Sequence, residues 1–201
     1  MSKNKNKVDI TNLDPSKVFF TSDTHFNHTN ILSYCYRPFE TIEEHDETLI
    51  RNWNSVVPED GVVFHLGDFG FKNVRYLKDV FDRLNGTVYL CIGNHDFTKL
   101  RVSFKKVFAE QRLEYNLYIE KQHIILNHYP LLCFAGAENH SVWNLFGHVH
   151  SGPKATGFDI PRLTMLYPTQ YDVGVDNNNY TPISYYQVKE KIEEQIKNSN
   201  K

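Results

Sequence analysis

The sequence predicts an α/β domain built of stacked layers, and three observations carry that prediction. Short, continuous apolar runs recur along the chain, segments with helical period lie between several of them, and the runs end repeatedly in Asp, Asn or His. Runs that do not alternate apolar with polar suit strands buried on both faces of a sheet. Their alternation with amphipathic helices implies helices packed against sheet.

Val18-Phe19-Phe20 is the first predicted strand, and Gly61–Leu66, Thr87–Ile92, His123–Leu126 and Val142–Phe146 follow. Between the first two, Thr41–Val57 reads as a helix, with apolar residues at 42, 49, 50, 53, 56 and 57 and a capping box of Thr41 with Glu44. Asn73–Leu84 carries Val74, Leu77, Val80, Phe81 and Leu84 on one stripe and stops at Asn85-Gly86, a helix end signal. A third helix is expected over about Lys99–Glu110, with Leu100, Phe104, Val107 and Phe108 inward. Asp172–Asp176 and Ile183–Val188 read as strands around an Asn177-Asn178-Asn179 turn, and Lys189–Asn200 as a short terminal helix.

Composition narrows the class. The 201 residues are 40% hydrophobic and 14% aromatic, enough to bury a core and too aromatic for a disordered chain. One domain is expected over 1–201, with 1–14 and 190–201 peripheral or frayed. Lys and Arg number 22 against 24 Asp and Glu, so no overall basic charge marks a nucleic-acid binder. No run approaches the ~18 apolar residues of a membrane span, and the polar, lysine-rich Met1–Lys7 is not followed by a signal-like apolar segment. The expected location is the cytoplasm. Cys35, Cys91 and Cys133 are odd in number and far apart, which fits reduced thiols.

The chemistry is concentrated just after the apolar runs. Val18–Phe20 leads into Ser22-Asp23-Thr24-His25, Val62–Leu66 into Gly67-Asp68, and Val88–Ile92 into Gly93-Asn94-His95-Asp96. Ile124–Leu126 leads into Asn127-His128, and Trp143–Phe146 into Gly147-His148-Val149-His150. Strands in parallel layers gather such ends along one edge, where open α/β sheets place their sites. Asp23/His25 and His148/His150 are each two apart, so in extended backbone each pair would point to one side as a pincer. Taken singly, each motif has an ordinary structural use, as a turn former, a helix cap or a satisfied histidine. Their conjunction does not. Carboxylates, an amide oxygen and imidazoles without thiolate suit divalent Mn, Fe, Zn or Ni.

In this order the motifs resemble the calcineurin-like metallophosphoesterase superfamily, over about residues 18 to 150, and the stretch Ser22–Phe39 with Leu66–Phe69 resembles more closely its small single-domain bacterial and phage members. The resemblance implies a four-layer α/β/β/α sandwich with two divalent ions, Mn2+ foremost, with Fe, Zn or Ni also compatible. Asp23, His25, Asp68 and His150 would hold the first ion and Asp68, Asn94, His128 and His148 the second, with Asp68 shared. The implied activity is hydrolysis of a phosphodiester or phosphomonoester, a small-molecule phosphate ester or nucleotide, by a metal-bridging hydroxide, with His95 serving the leaving group. A nuclease is the alternative. The basic residues Lys99, Arg101, Lys105 and Lys106 and the tail Lys3, Lys5 and Lys7 do not form the dense stripe that nucleic acid requires. A non-catalytic scaffold is a third reading, disfavoured by the complete ligand set.

One departure bears on substrate. In Ser/Thr protein phosphatases the second motif continues to an Asp and an Arg, whereas here Asp68 is followed by Phe69-Gly70-Phe71-Lys72. Protein-phosphatase activity is therefore disfavoured. Asp96 could orient His95 in place of the missing carboxylate, or could cap the segment that follows. Arg37 could supply the missing phosphate fork, and Asn27 and His28 could line the same mouth.

Overall fold

The computed structural model describes residues 9–71, 73–96 and 107–199. Its strands are β1 (Val18–Thr21), β2 (Val62–His65), β3 (Thr87–Cys91), β4 (Glu110–Arg112), β5 (Glu114–Ile119), β6 (Gln122–Asn127), β7 (Val142–Phe146), β8 (Gln170–Asp172) and β9 (Ile183–Ser184). They form a five-stranded sheet ordered β4-β3-β2-β1-β9 and a four-stranded sheet ordered β5-β6-β7-β8. Helices α1 (Ile31–Tyr34), α2 (Ile42–Val56), α3 (Val74–Arg83) and α4 (Tyr185–Ser199) complete the described elements, with 3-10 turns at Pro15–Lys17 and Ile160–Met165. Two sheets flanked by helices is the α/β sandwich that the sequence predicts.

Register explains how the continuous apolar runs are used. Phe20, Phe64 and Tyr89 lie opposite one another across the parallel strands β1, β2 and β3. Their rings stack along the row at 6.0 and 5.3 Å, and Tyr115 of the second sheet meets Phe64 edge-on at 5.6 Å. That row is the core between the sheets, shared with Leu117, Ile124, Leu126 and Leu145. Phe19, Val63 and Val88 point the other way and meet Leu49, Ile50 and Trp53 of α2 and Leu77, Val80 and Phe81 of α3. Full burial of each such side chain contributes roughly 1.5–3 kcal/mol. Helix α4 adds Val188 and Ile192 to the core between the sheets, together with Trp143.

Helix ends follow the local chemistry. Thr41 accepts from Glu44 N at the start of α2, and Glu44 in turn accepts from Glu40 N. Asn73 caps α3 through Tyr76 N.

Three expectations change. Asp172–Asp176 is strand only as far as Asp172, because its carboxylate accepts from Gly174 N and its carbonyl from the side chains of Asn177 and Asn178. These local bonds turn the chain away from the ladder. Ile183–Val188 is strand only for two residues, after which α4 begins at Tyr185. Ser184 and Gln187 form a reciprocal capping box there, Ser184 N to Gln187 Oε1 and Gln187 N to Ser184 Oγ. The expected helix over Lys99–Glu110 lies mostly outside the described residues, as do Lys99, Arg101, Lys105, Lys106, Lys3, Lys5 and Lys7. Its far end is not helical: residues 107–109 are turn and bend, and Glu110 opens β4.

Strands β1, β2 and β3 run parallel, and so do β6, β7 and β8. The segments that leave the C-terminal ends of β1, β2, β3, β6 and β7 carry the predicted site residues. Among the described residues no helix is long and apolar enough to cross a membrane.

Candidate metal centre

The loops after β1 and β2 are zipped together by backbone bonds, Asp23 N to Gly67 O and His25 N to Asp68 O. Asp23, His25, Asp68, His148 and His150 all adopt left-handed backbone, with φ of 57°, 49°, 56°, 70° and 49°. Such conformations cost a non-glycine residue roughly 1–2 kcal/mol each, and they persist where neighbouring structure over-determines them. Here Asp96 Oδ2 accepts from Asp68 N at 2.7 Å, and Asp23 Oδ2 from His148 N at 2.8 Å. This geometry corrects the backbone of the pincer reading: neither pair of site residues is extended. Asp23 and His25 still converge, whereas the ring of His148 stands beside His128 and that of His150 beside His25.

His150 Nε2 lies 3.8 Å from Asp23 Oδ1, and His25 Nε2 lies 3.9 Å from the same oxygen and 3.6 Å from Asp68 Oδ2. His128 Nε2 is 3.7 Å from Asp68 Oδ2 and 3.0 Å from Asn94 Oδ1. His148 sits on that second side, its ring 5.1 Å from that of His128. His95 Nε2 is 3.9 Å from Asp68 Oδ2, and its main-chain N–H donates to Asp68 Oδ1 at 2.8 Å. The structure thus brings Asp23, His25, Asp68, Asn94, His95, His128, His148 and His150 together, with Asp68 near the middle.

Close packing of glycines permits the convergence. A Cβ on Gly147 would collide with Ser22 Oγ and Asp23 Oδ2, and one on Gly67, at φ +104°, with His128 Nδ1.

The donor set fits a divalent cation. Asp23 Oδ1 and His25 Nε2 are buried and have no hydrogen-bond partner in the structure, a costly state for polar atoms. Burial and the neighbouring Asp23 carboxylate push the Asp68 acid upward. Burial, with the charges of His150 and Arg37 beside it, holds His25 well below the ordinary histidine range, so its ring is neutral and offers a lone pair. Groups of Asp23, His25 and His150 and of Asp23, Asp68 and His128 each place their ligand atoms within 4.8 Å of one another.

Residues that sequence reasoning missed hold the donors in place. His150 Nδ1 is 2.7 Å from Asp176 Oδ2, the carboxylate–histidine contact that orients metal-ligating imidazoles. Against the desolvation that lowers it, the Asp176 hydrogen bond and the Asp23 carboxylate pull His150 well above its ordinary range. His128 Nδ1 faces Leu66 O at 2.7 Å, and His28 Nδ1 faces His25 Nδ1 at 3.1 Å. His65, driven to about 3 by burial and therefore neutral, contacts Thr24 Oγ1 at 2.9 Å. No spacing singles out Asp176 among the acids of the chain; it ends a run that reads as strand.

Two expected roles are placed differently. Arg37 is buried, and all five of its N–H groups are engaged: Asp176 bidentately at 2.9 and 2.7 Å, Asp23 O, Thr24 O and His45 Nε2. Its fork therefore grips a carboxylate of the chain and leaves none for a phosphate. Asp96 turns both oxygens to backbone N–H groups, of Gly93, Asp68 and Phe69, and so clamps the β2 and β3 loops to each other. Burial pushes its acid up to about 6 against those bonds. Asn27 is likewise structural, bonded to Asp46 and Phe71 O. His28 stacks on Phe71 at 4.3 Å and lines the cavity over the site with His25, His95 and His150.

Known proteins resemble this chain in sequence and in fold. The family model described as calcineurin-like phosphoesterase matches residues 16–184. The uncharacterized protein MJ1445 of Methanocaldococcus jannaschii is 33% identical over 172 residues, covering 84% of this chain and 86% of its own. The Gene 66 protein of Mycobacterium phage L5 is 29% identical over 164 residues, covering 68% of this chain and 78% of its own. The crystal structure of AQ665 from Aquifex aeolicus, a protein of unknown function, shares the fold with a TM-score of 0.69 at 23% identity, over 86% of this chain and 97% of that one.

Proposed function

The chain belongs to the calcineurin-like phosphoesterases, enzymes of metal-dependent phosphoester hydrolysis, and from that premise we propose that its site works with two divalent cations, Mn2+ foremost, and with His95 assisting the leaving group. The observation that carries this reading is the unpartnered, buried pair Asp23 Oδ1 and His25 Nε2 facing a second buried carboxylate, Asp68. Asp23, His25, Asp68 and His150 would hold one ion and Asp68, Asn94, His128 and His148 the other. When bound, the ions supply a water acidified toward pKa ~7 and positive charge for the phosphoryl oxygens.

The chain's own residues do the remaining work. Asp176 fixes the ring of His150 so that Nε2 turns to Asp23, and Asp96 fixes the loop of Asp68. His95 is 36% exposed at the side chain and lines the cavity beside His25, within reach of an ester oxygen there. Burial and the nearby His128 charge hold its pKa down; a bound anionic ester opposes that shift and favours the protonated imidazole that a leaving oxygen needs. Asn94, exposed at the rim, and His28, in the cavity wall, would contact the ester.

The test is turnover of bis(4-nitrophenyl) phosphate by the purified protein. Activity is expected with added Mn2+, is lost on chelation with EDTA, and returns when Mn2+ is restored. Absence of turnover with Mn2+, Fe2+, Zn2+ and Ni2+ alike would contradict the proposal.

A further inference from the structure

We propose that the substrate is a small phosphodiester with two largely apolar arms, at least one an aromatic ring, and that the chain grips the arms separately, one by Tyr34 and Phe158 and the other by Leu132 and Met165. This deepens the phosphoesterase reading and rests on it. Two cavities open over the site. The larger, about 610 Å³, has His25, His95 and His150 in its lining together with Tyr34, Phe71 and Phe158. The smaller, about 480 Å³, is lined by Tyr129, Leu132, Leu163 and Met165. His148, Val149 and Asp159 line both. A phosphoryl group beside His148 therefore borders both cavities.

The walls define the arms. Tyr34 is 65% exposed, Leu132 62% and Met165 63%, and Phe158 is fully exposed. Large apolar side chains left in water around a concave site are the usual mark of a ligand surface. In the larger cavity His28 lies flat on Phe71 at 4.3 Å, and Tyr34 stands edge-on to His28 at 6.2 Å, an aromatic wall suited to a ring. No lysine or arginine lines that cavity among the described residues. In the smaller one Arg162 is paired with Asp159 at 3.0 Å. Among the described residues apolar and aromatic side chains dominate both linings, so the arms are largely apolar. A monoester would fill one cavity and leave the other's apolar wall in water. Because His95 lines the larger cavity, the departing arm belongs there.

The experiment compares four variants, Tyr34→Ala, Phe158→Ala, Leu132→Ala and Met165→Ala, on bis(4-nitrophenyl) phosphate and on the one-armed 4-nitrophenyl phosphate with Mn2+. These side chains project from the surface, so truncation leaves the fold in place. In Leu132→Ala and Met165→Ala the diester-to-monoester ratio of kcat/KM falls roughly three- to tenfold, through KM. In Tyr34→Ala and Phe158→Ala both esters lose a similar factor and the ratio holds. Calorimetric titration with diphenyl phosphate and phenyl phosphate gives the same pattern in Kd. A ratio that stays constant in the Leu132 and Met165 variants, or a wild-type preference for the monoester, overturns the two-arm inference while the phosphoesterase reading stands. Hydrolysis of neither ester by the wild type overturns both.

Discussion

Asp68→Asn is expected to strip the site of metal and to lower diester turnover by at least about 10²–10³-fold. The Asp68 carboxylate stands between the two halves of the donor set, with Oδ2 3.6 Å from His25 Nε2 and 3.7 Å from His128 Nε2. Asparagine keeps the shape, and its Oδ1 still accepts from His95 N, the bond that holds the β3 loop at 2.8 Å. What it removes is the shared negative charge. Elemental analysis of the purified variant, read beside kcat/KM, separates the outcomes. A variant that still carries two ions per chain would show that Asp68 is not the shared ligand.

His95→Asn is expected to act on a different quantity. Removing a general acid lowers kcat by about 10²–10⁴ where the leaving oxygen must be protonated, and much less for 4-nitrophenolate, which departs readily as an anion. Metal content should stay that of the wild type, because His95 lies on the open side of Asp68 with its side chain 36% exposed. The measurement is a comparison of alkyl and 4-nitrophenyl esters in both proteins, with metal analysis alongside. Equal losses on both esters, or loss of metal, would assign His95 to the ligand set instead.

The sheet that carries the site was legible because buried parallel strands write themselves as continuous apolar runs. Val18–Phe20, Val62–Phe64 and Thr87–Tyr89 each sit in register with the next. Strands β4 and β5 escaped notice: Glu110-Gln111-Arg112 has no apolar side chain, and β5 alternates exposed and buried residues at the margin of the second sheet. The start of α4 was misread for another reason. Aromatic and β-branched residues from Ile183 to Val188 look like strand, yet Ser184 and Gln187 spell a capping box that decides for helix.

Within the site, the residues that the motifs named were found at one place because each terminates a strand of the same two sheets. The supporting carboxylate Asp176 was not, since it acts through hydrogen bonds with His150 and Arg37, 26 and 139 residues away. Arg37 shows the same limit. A buried guanidinium costs free energy unless its donors are met, and the partner that meets them, Asp176, is adjacent only in the fold. The result is that the arginine expected to receive phosphate instead ties the β1 loop, α2 and the segment after β8 behind His150.

The site is proposed as a cage for two cations that share one aspartate. Crystals grown with Mn2+ and measured at its absorption edge test it most directly, together with elemental analysis of the same protein. Two manganese ions per chain and two anomalous peaks are expected, one on the His25 side of Asp68 and one on the His128 side. A single peak, or peaks away from Asp23 and Asp68, would contradict it.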